Sequence, residues 1–148
     1  FFGTSIEIYN DLKGKELSAI VSGTGTGGTL MGCQKRLKVI FSDMDVVAVE
    51  PSESAVMSGG KPGLHGIQGI GDGSKFLVDL NFVDKIITIS TDEAKRRAVE
   101  LSKELGIFVG ISAGANILAA ERYEKEYEPK GVIVTFLCDR GERYLSCL

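Results

Sequence analysis

The stretch Ser22-Gly23-Thr24-Gly25-Thr26-Gly27-Gly28-Thr29 sets four glycines and three threonines between an apolar run and a helical pattern. Residues of these types can cradle a phosphate. Glycine lets backbone N–H groups come close to an anion, and threonine adds hydroxyl hydrogen bonds. Leu17 to Val21 reads as a short buried strand, and Leu30, Met31, Cys33 and Leu37 recur at the spacing of a helix's inner face. The loop therefore opens a helix. The first amides of a helix have no intrahelical partners and sit at the positive end of its dipole, so they can hold a phosphate dianion without lysine or arginine.

The same letters admit other chemistry. Gly23-x-Gly25-x-x-Gly28 satisfies the dinucleotide fingerprint, and Glu50, 22 residues beyond Gly28, stands where a ribose-binding carboxylate belongs. A nucleotide-triphosphatase loop fits less well, because Thr29 occupies the place of the phosphate-neutralising lysine. A tight turn that binds nothing is the plainest alternative. Two other residue types could react. His65 is the only histidine and has no evident catalytic partner, so a structural role is the simpler expectation. The three cysteines, Cys33, Cys138 and Cys147, are too few and scattered for a disulfide framework or a zinc site and are expected to be small buried hydrophobes.

The elements that position these residues alternate between strand and helix. A short helix is expected from Thr4 or Ser5 to Asn10, a helix from the glycine loop to about Val39, and a strand from Val46 to Glu50, ended by Pro51. Pro51 and Ser52 suit the start of a helix of two turns. Residues 59 to 73 hold seven glycines in fifteen positions and fit no regular element; Leu64, Ile67 and Ile70 give this stretch something to pack with, so it is expected to be an ordered loop. A strand over 85–90 leads to the capping-box pattern Ser90-Thr91-Asp92-Glu93, a helix closed by Gly106, and a short strand at Ile107-Phe108-Val109. Ser112 is placed as a candidate N-cap of a helix running towards Tyr127, and the continuous apolar run Val132–Leu137 reads as a strand covered on both faces.

This alternation specifies an α/β fold, a parallel sheet with helices on both faces, in a single domain over residues 1–148. Ligands of such sheets bind at the strand C-terminal ends, which gathers the Gly23 loop, Glu50-Pro51, Ser90-Thr91, Ser112 and Cys138-Asp139 at one rim. A formal net charge of -3 without a basic run speaks against a nucleic-acid surface, and no apolar segment approaches the ~20 residues a bilayer crossing needs. The expected location is the cytoplasm. The chain opens Phe1-Phe2-Gly3 without methionine or a signal-peptide pattern, which predicts that it starts in mid-protein.

Six segments, taken together, resemble one family: Gly25-Thr26-Gly27-Gly28-Thr29, Val49-Glu50-Pro51, Lys61-Pro62-Gly63, Ile67-Gln68-Gly69-Ile70-Gly71, Gly110-Ile111-Ser112-Ala113-Gly114 and Gly141-Glu142-Arg143-Tyr144-Leu145-Ser146. Their order and approximate spacing are similar to those of cysteine synthase, or O-acetylserine sulfhydrylase, among the fold type II pyridoxal-phosphate enzymes. The resemblance implies that Gly25, Thr26, Gly27, Gly28 and Thr29 bind the phosphate of pyridoxal 5'-phosphate and that Ser112 hydrogen-bonds its pyridine nitrogen. A serine suits an unprotonated ring nitrogen, where a carboxylate would favour the pyridinium. The loop at 66–73 resembles the segment that borders the family's active-site cleft. The implied reaction is β-replacement, in which an activated serine, O-acetyl-L-serine or O-phosphoserine, exchanges its leaving group for sulfide to give L-cysteine.

The resemblance also implies what this chain does not carry. The family's Schiff-base lysine, in a Ser-x-Lys-Asp/Glu-Arg type motif, and its asparagine-containing loop for the substrate carboxylate are both absent from these 148 residues. The chain thus resembles the C-terminal cofactor-binding portion of the large domain, without the N-terminal strands and the smaller substrate domain; alone it is expected to be inactive, its partner being the N-terminal part of the same enzyme, and the whole enzyme a homodimer. No catalytic residue and no metal ligand is assigned within it. Two departures leave the substrates open. Asp72-Gly73-Ser74 stands where many members have Ala-Gly-Phe, and Cys138-Asp139-Arg140 replaces the commoner Pro-Ser-x, as in the B-type branch. Thiosulfate, and the homocysteine of a cystathionine β-synthase, therefore stand beside sulfide as candidate co-substrates.

Overall fold

The computed structural model describes residues 2–74 and 76–146. Four parallel strands lie in the order β3-β2-β1-β4, with β1 at Leu17–Gly23, β2 at Asp45–Pro51, β3 at Lys85–Ile89 and β4 at Val132–Thr135. Val21 pairs with Val47 of β2 and Thr135 of β4, and Val49 pairs with Ile87 of β3. Because every pairing is parallel, the C-terminal ends of all four strands share one rim.

Two-residue alternation divides the central strands between two cores. Ala19, Val21, Val47 and Val49 face helices α3 (Thr91–Leu105) and α4 (Ile111–Tyr127), meeting Ala94, Ile111, Ala115 and Ala119. Ile20, Val46 and Ala48 point the other way, onto Leu12 of α1 (Phe2–Leu12) and Leu30, Cys33 and Leu37 of α2 (Gly28–Leu37). The expected parallel sheet with helices on both faces is what these residues build. The first half of α4 is buried all round, between the sheet and α3. Gly114 makes this possible, since a Cβ there would overlap the Ala94 carbonyl and lie 2.9 Å from the Ala98 nitrogen.

The elements depart from the sequence reading where pairing or burial outweighs local preference. The helix expected after Pro51 is a single 3-10 turn, Ser52–Ser54. Ile107-Phe108-Val109 forms no strand; only Val109 bridges, antiparallel, to Arg140. β4 stops at Thr135 and its four residues are only half-buried, because among the described residues it is an edge strand, although Ile133 packs on one core and Val132 and Val134 on the other. α1 starts at Phe2 and ends at Leu12, about half a turn further in each direction than expected, and α2 ends at Leu37 rather than Val39. The capping box is present as predicted: Ser90 Oγ accepts from the Glu93 amide, Glu93 Oε2 accepts from the Ser90 amide at 3.0 Å, and Gly106 closes α3 with φ 67.

Candidate cofactor site

The glycine loop leaves β1 at the rim and is pinned on its outer side by three backbone bonds. Thr24 N–H donates to Val49 O at 3.2 Å, Gly71 N–H to Thr24 O at 3.0 Å and Leu77 N–H to Thr26 O at 3.0 Å. Two glycines let the loop sit this close to its neighbours. Gly27 is left-handed, φ 85, and a Cβ on it would fall 2.5 Å from Val78 Cγ2; a Cβ on Gly25 would fall 2.5 Å from the Gly69 carbonyl oxygen. The inner side of the loop is open. The first helical bond of α2 runs from Met31 N–H to Gly27 O, so the amides of Gly28, Thr29 and Leu30 precede it without intrahelical partners.

These groups line a cleft of about 640 Å³, within the ~300–1,000 Å³ range of small-molecule sites. Gly25 to Thr29 form one end, Gln68-Gly69-Ile70 border it, and Ser112 with Phe136–Asp139 forms the facing wall. All six sequence-predicted site residues are thus brought together. A phosphate fits the glycine end on the structure's own terms: a Cβ added to Gly28 would meet only Thr26 Oγ1, at 3.8 Å, so the loop leaves room there for an anion facing free amides.

Ser112 is the second residue of α4 and 5% exposed. It is not the N-cap. Gly110 holds that position with φ -76 and ψ 173 and offers no side chain, which leaves the Ser112 hydroxyl to the cleft that Cys138 also lines. Cys138 is exposed rather than buried; Cys33 is buried, and Cys147 lies outside the described residues. Desolvation of the Cys138 sulfur, reinforced by the Asp139 charge, pushes its thiol above the usual range.

Asp139 closes the wall. Its Oδ2 accepts from Tyr144 Oη at 2.5 Å, and this bond, ahead of burial, raises the Tyr144 pKa. Asp139 Oδ1 is buried with no hydrogen-bond partner. It rests against Gly110 at the start of α4, where a Cβ would overlap it and where the helix dipole favours negative charge.

Other candidates lie elsewhere. Glu50 is 2% exposed, and both its oxygens are taken: Oε2 accepts from the Met57 amide at 2.7 Å, and Oε1 from the Ser58 amide at 2.9 Å and hydroxyl at 2.5 Å. That removes the carboxylate on which a dinucleotide reading of the loop rested. His65 is structural, its Nε2 lying 3.0 Å from Gly71 O and its Nδ1 accepting from the Ile67 amide at 3.2 Å, a pairing that places the ring proton on Nε2. With Gly66 N–H donating to Thr91 Oγ1 at 2.8 Å, these bonds order the 59–73 loop, and Ile67 and Ile70 anchor it in the core. Leu64 does not; it is 99% exposed. Glu50-Pro51 and Ser90-Thr91 reach the same rim but do not line the cleft.

Sequence reasoning passed over Asn116 and gave Tyr144 no role beyond its place in the 141–146 segment. Asn116 lies one helical turn beyond Ser112 on the same side of α4, and a polar residue in that otherwise small and apolar stretch was the available signal. Among the described residues no group of three or more His, Cys, Asp or Glu could hold a metal ion.

Comparison with known proteins points to one family. A cysteine synthase from Staphylococcus aureus is 42% identical over 146 residues, which is 97% of this chain and 46% of that protein. The crystal structure of O-acetylserine sulfhydrylase isoform 3 from Entamoeba histolytica superposes with a TM-score of 0.91 at 44% identity, over 97% of this chain and 43% of that one. An O-acetylserine-dependent cystathionine beta-synthase from Helicobacter pylori gives a TM-score of 0.84 at 35% identity, over 97% of this chain and 46% of its own. The chain therefore spans about half the length of the relatives it matches. The family model described as pyridoxal-phosphate dependent enzyme matches residues 2–139, and the chain belongs to that family.

Proposed function

We propose that this chain is the cofactor-binding portion of a cysteine synthase, whose whole protein makes L-cysteine from O-acetyl-L-serine or O-phosphoserine and sulfide. The observation that carries the reading is the convergence of Gly25–Thr29, Gln68–Ile70 and Ser112 on one cleft at the strand C-terminal rim. The amides of Gly28 and Thr29, with the hydroxyls of Thr26 and Thr29, hold the cofactor phosphate; Ser112, a residue 5% exposed, offers the hydrogen bond of its hydroxyl to the ring nitrogen. When bound, pyridoxal phosphate withdraws electrons from the substrate Cα so that a β-substituent can leave. This chain's share is to anchor the phosphate, orient the ring and, through the loop around Gln68, border the substrate.

The covalent lysine and the substrate-carboxylate loop are assigned to an N-terminal part of the same enzyme, so this chain alone is inactive. The half-buried edge strand β4, with the groove of about 390 Å³ between it and α4, is where apolar surface awaits cover. We assign the enzyme to the cytoplasm as a homodimer; no helix among the described residues is long and apolar enough to cross a membrane.

The test is cysteine formation from O-acetylserine and sulfide by the full-length protein, measured with and without its upstream lysine. The reading requires turnover that vanishes in the lysine variant, and no turnover with either serine ester contradicts it. Cys138-Asp139 in the cleft wall, together with the Helicobacter pylori neighbour, supports a second reading, use of homocysteine to form cystathionine. Product analysis with both thiols present separates the two.

A further inference from the structure

The cleft opens where two strands part. β1 and β4 are paired as far as Val21 and Thr135. Beyond that pair the ladder between the two strands ends. Between Gly23 and Phe136 lies the side chain of Asn116, 0% exposed. Its Oδ1 accepts from the Gly23 amide at 2.6 Å, and its Nδ2 donates to the Phe136 carbonyl at 2.8 Å and lies 3.8 Å from Cys138 Sγ. Gly23 N–H can only donate and Phe136 C=O can only accept, so the orientation of the amide is dictated by its partners.

A carboxamide carries the same donor and acceptor as a peptide unit, so Asn116 replaces a direct strand-to-strand bond with a bridge one side chain wide. We propose that Asn116 is a positioning residue, a wedge that sets the separation between the phosphate cradle rooted at Gly23 and the facing wall at Phe136–Asp139. The inference rests on the pyridoxal-phosphate reading of the cleft. No other side chain of similar size serves. Aspartate keeps the acceptor for Gly23 but sets a carboxylate oxygen against the Phe136 carbonyl, alanine loses both bonds, and glutamine keeps both on an arm one methylene longer.

The wedge acts on the cofactor through Gly23 and the loop that follows, so its loss should be read in the bound phosphate and not only in stability. The full-length protein is prepared as wild type, Asn116→Asp and Asn116→Ala, with Met44→Ala as a control, Met44 being buried before β2 at the opposite end of the sheet. Pyridoxal-phosphate affinity, the phosphorus-31 resonance of the bound cofactor and the unfolding temperature of the apoprotein are measured for each. Asn116→Asp and Asn116→Ala should bind the cofactor at least tenfold more weakly and shift the phosphorus resonance, while Met44→Ala lowers the unfolding temperature and leaves that resonance in place. If those two Asn116 variants do not fold, Asn116→Gln must still shift the resonance, and its failure to do so overturns the proposal. Wild-type affinity and resonance in the folded variants overturn the Asn116 assignment alone. A wild-type protein that binds no pyridoxal phosphate overturns both it and the cofactor reading beneath it.

Discussion

At the scale of single residues, the site depends on what glycine permits and what a few polar side chains saturate. Gly27 is the sharpest instance, since its left-handed φ of 85 and its approach to Val78 each exclude a side chain. Gly27→Ala should cost about 1–2 kcal/mol for the backbone alone, with an overpacking cost added. Because the displaced atoms are those of the cradle, cofactor affinity should fall at least tenfold, measured by titrating the apoprotein with pyridoxal phosphate; unchanged affinity would remove the loop from the site. The glycine loop and the helix start near Ser112 were legible in the sequence because glycine spacing and a strand-to-helix junction are local signals; local pattern alone made Ser112 an N-cap, and its proposed place beside the cofactor ring came from the family resemblance. Asn116 was not, as its partner Gly23 is 93 residues away. Glu50 resembles a ribose ligand by its distance from the glycine loop alone; the turn that brings the Met57 and Ser58 amides back onto its carboxylate, only seven and eight residues on, has no such spacing signature.

Among the elements, α3 shows how a local pattern becomes a tertiary fastening. Glu93 takes part in the capping box and also accepts from Arg122 Nη2 at 2.5 Å, while Arg122 Nη1 donates to Thr88 O at 3.1 Å, so the start of α3 is tied to α4 and to β3. The bonds from Ser90, side chain first and then backbone, lower the Glu93 carboxyl from 4.5 to about 2. The fold therefore favours the ionised form. Its contribution is complete above the ordinary carboxylate value and is lost as pH falls from about 4.5 towards 2. With a third of the side chain exposed, solvent screening keeps that contribution small. Thermal unfolding of the full-length protein between pH 7 and pH 3 should lose less stability on acidification in Glu93→Gln than in wild type; parallel profiles would show that Glu93 does not titrate this way. The caps of α3 were readable from sequence because their bonds span three to five residues. The extent of β4 and the absence of a strand at Ile107–Val109 were not, because strand residues are defined by partners that local composition does not reveal.

For the whole molecule, the expected alternation of strand and helix was enough to specify a parallel sheet with both faces covered, although among the described residues no α-helix separates β2 from β3 and no strand separates α3 from α4; parallel pairing then placed the functional ends together. What alternation could not specify is the order β3-β2-β1-β4, which makes the last strand an edge and lets it part from β1 to open the cleft. The proposed enzyme places the phosphate half of its cofactor site in this chain, against Gly25 to Thr29, and the covalent half elsewhere. A crystal structure of the full-length protein with pyridoxal phosphate bound tests that division directly. The phosphate should lie within hydrogen-bonding distance of the amides of Gly28 and Thr29, with the ring nitrogen next to Ser112. A phosphate held at any other loop, with the Gly25–Thr29 amides facing only solvent, would contradict it.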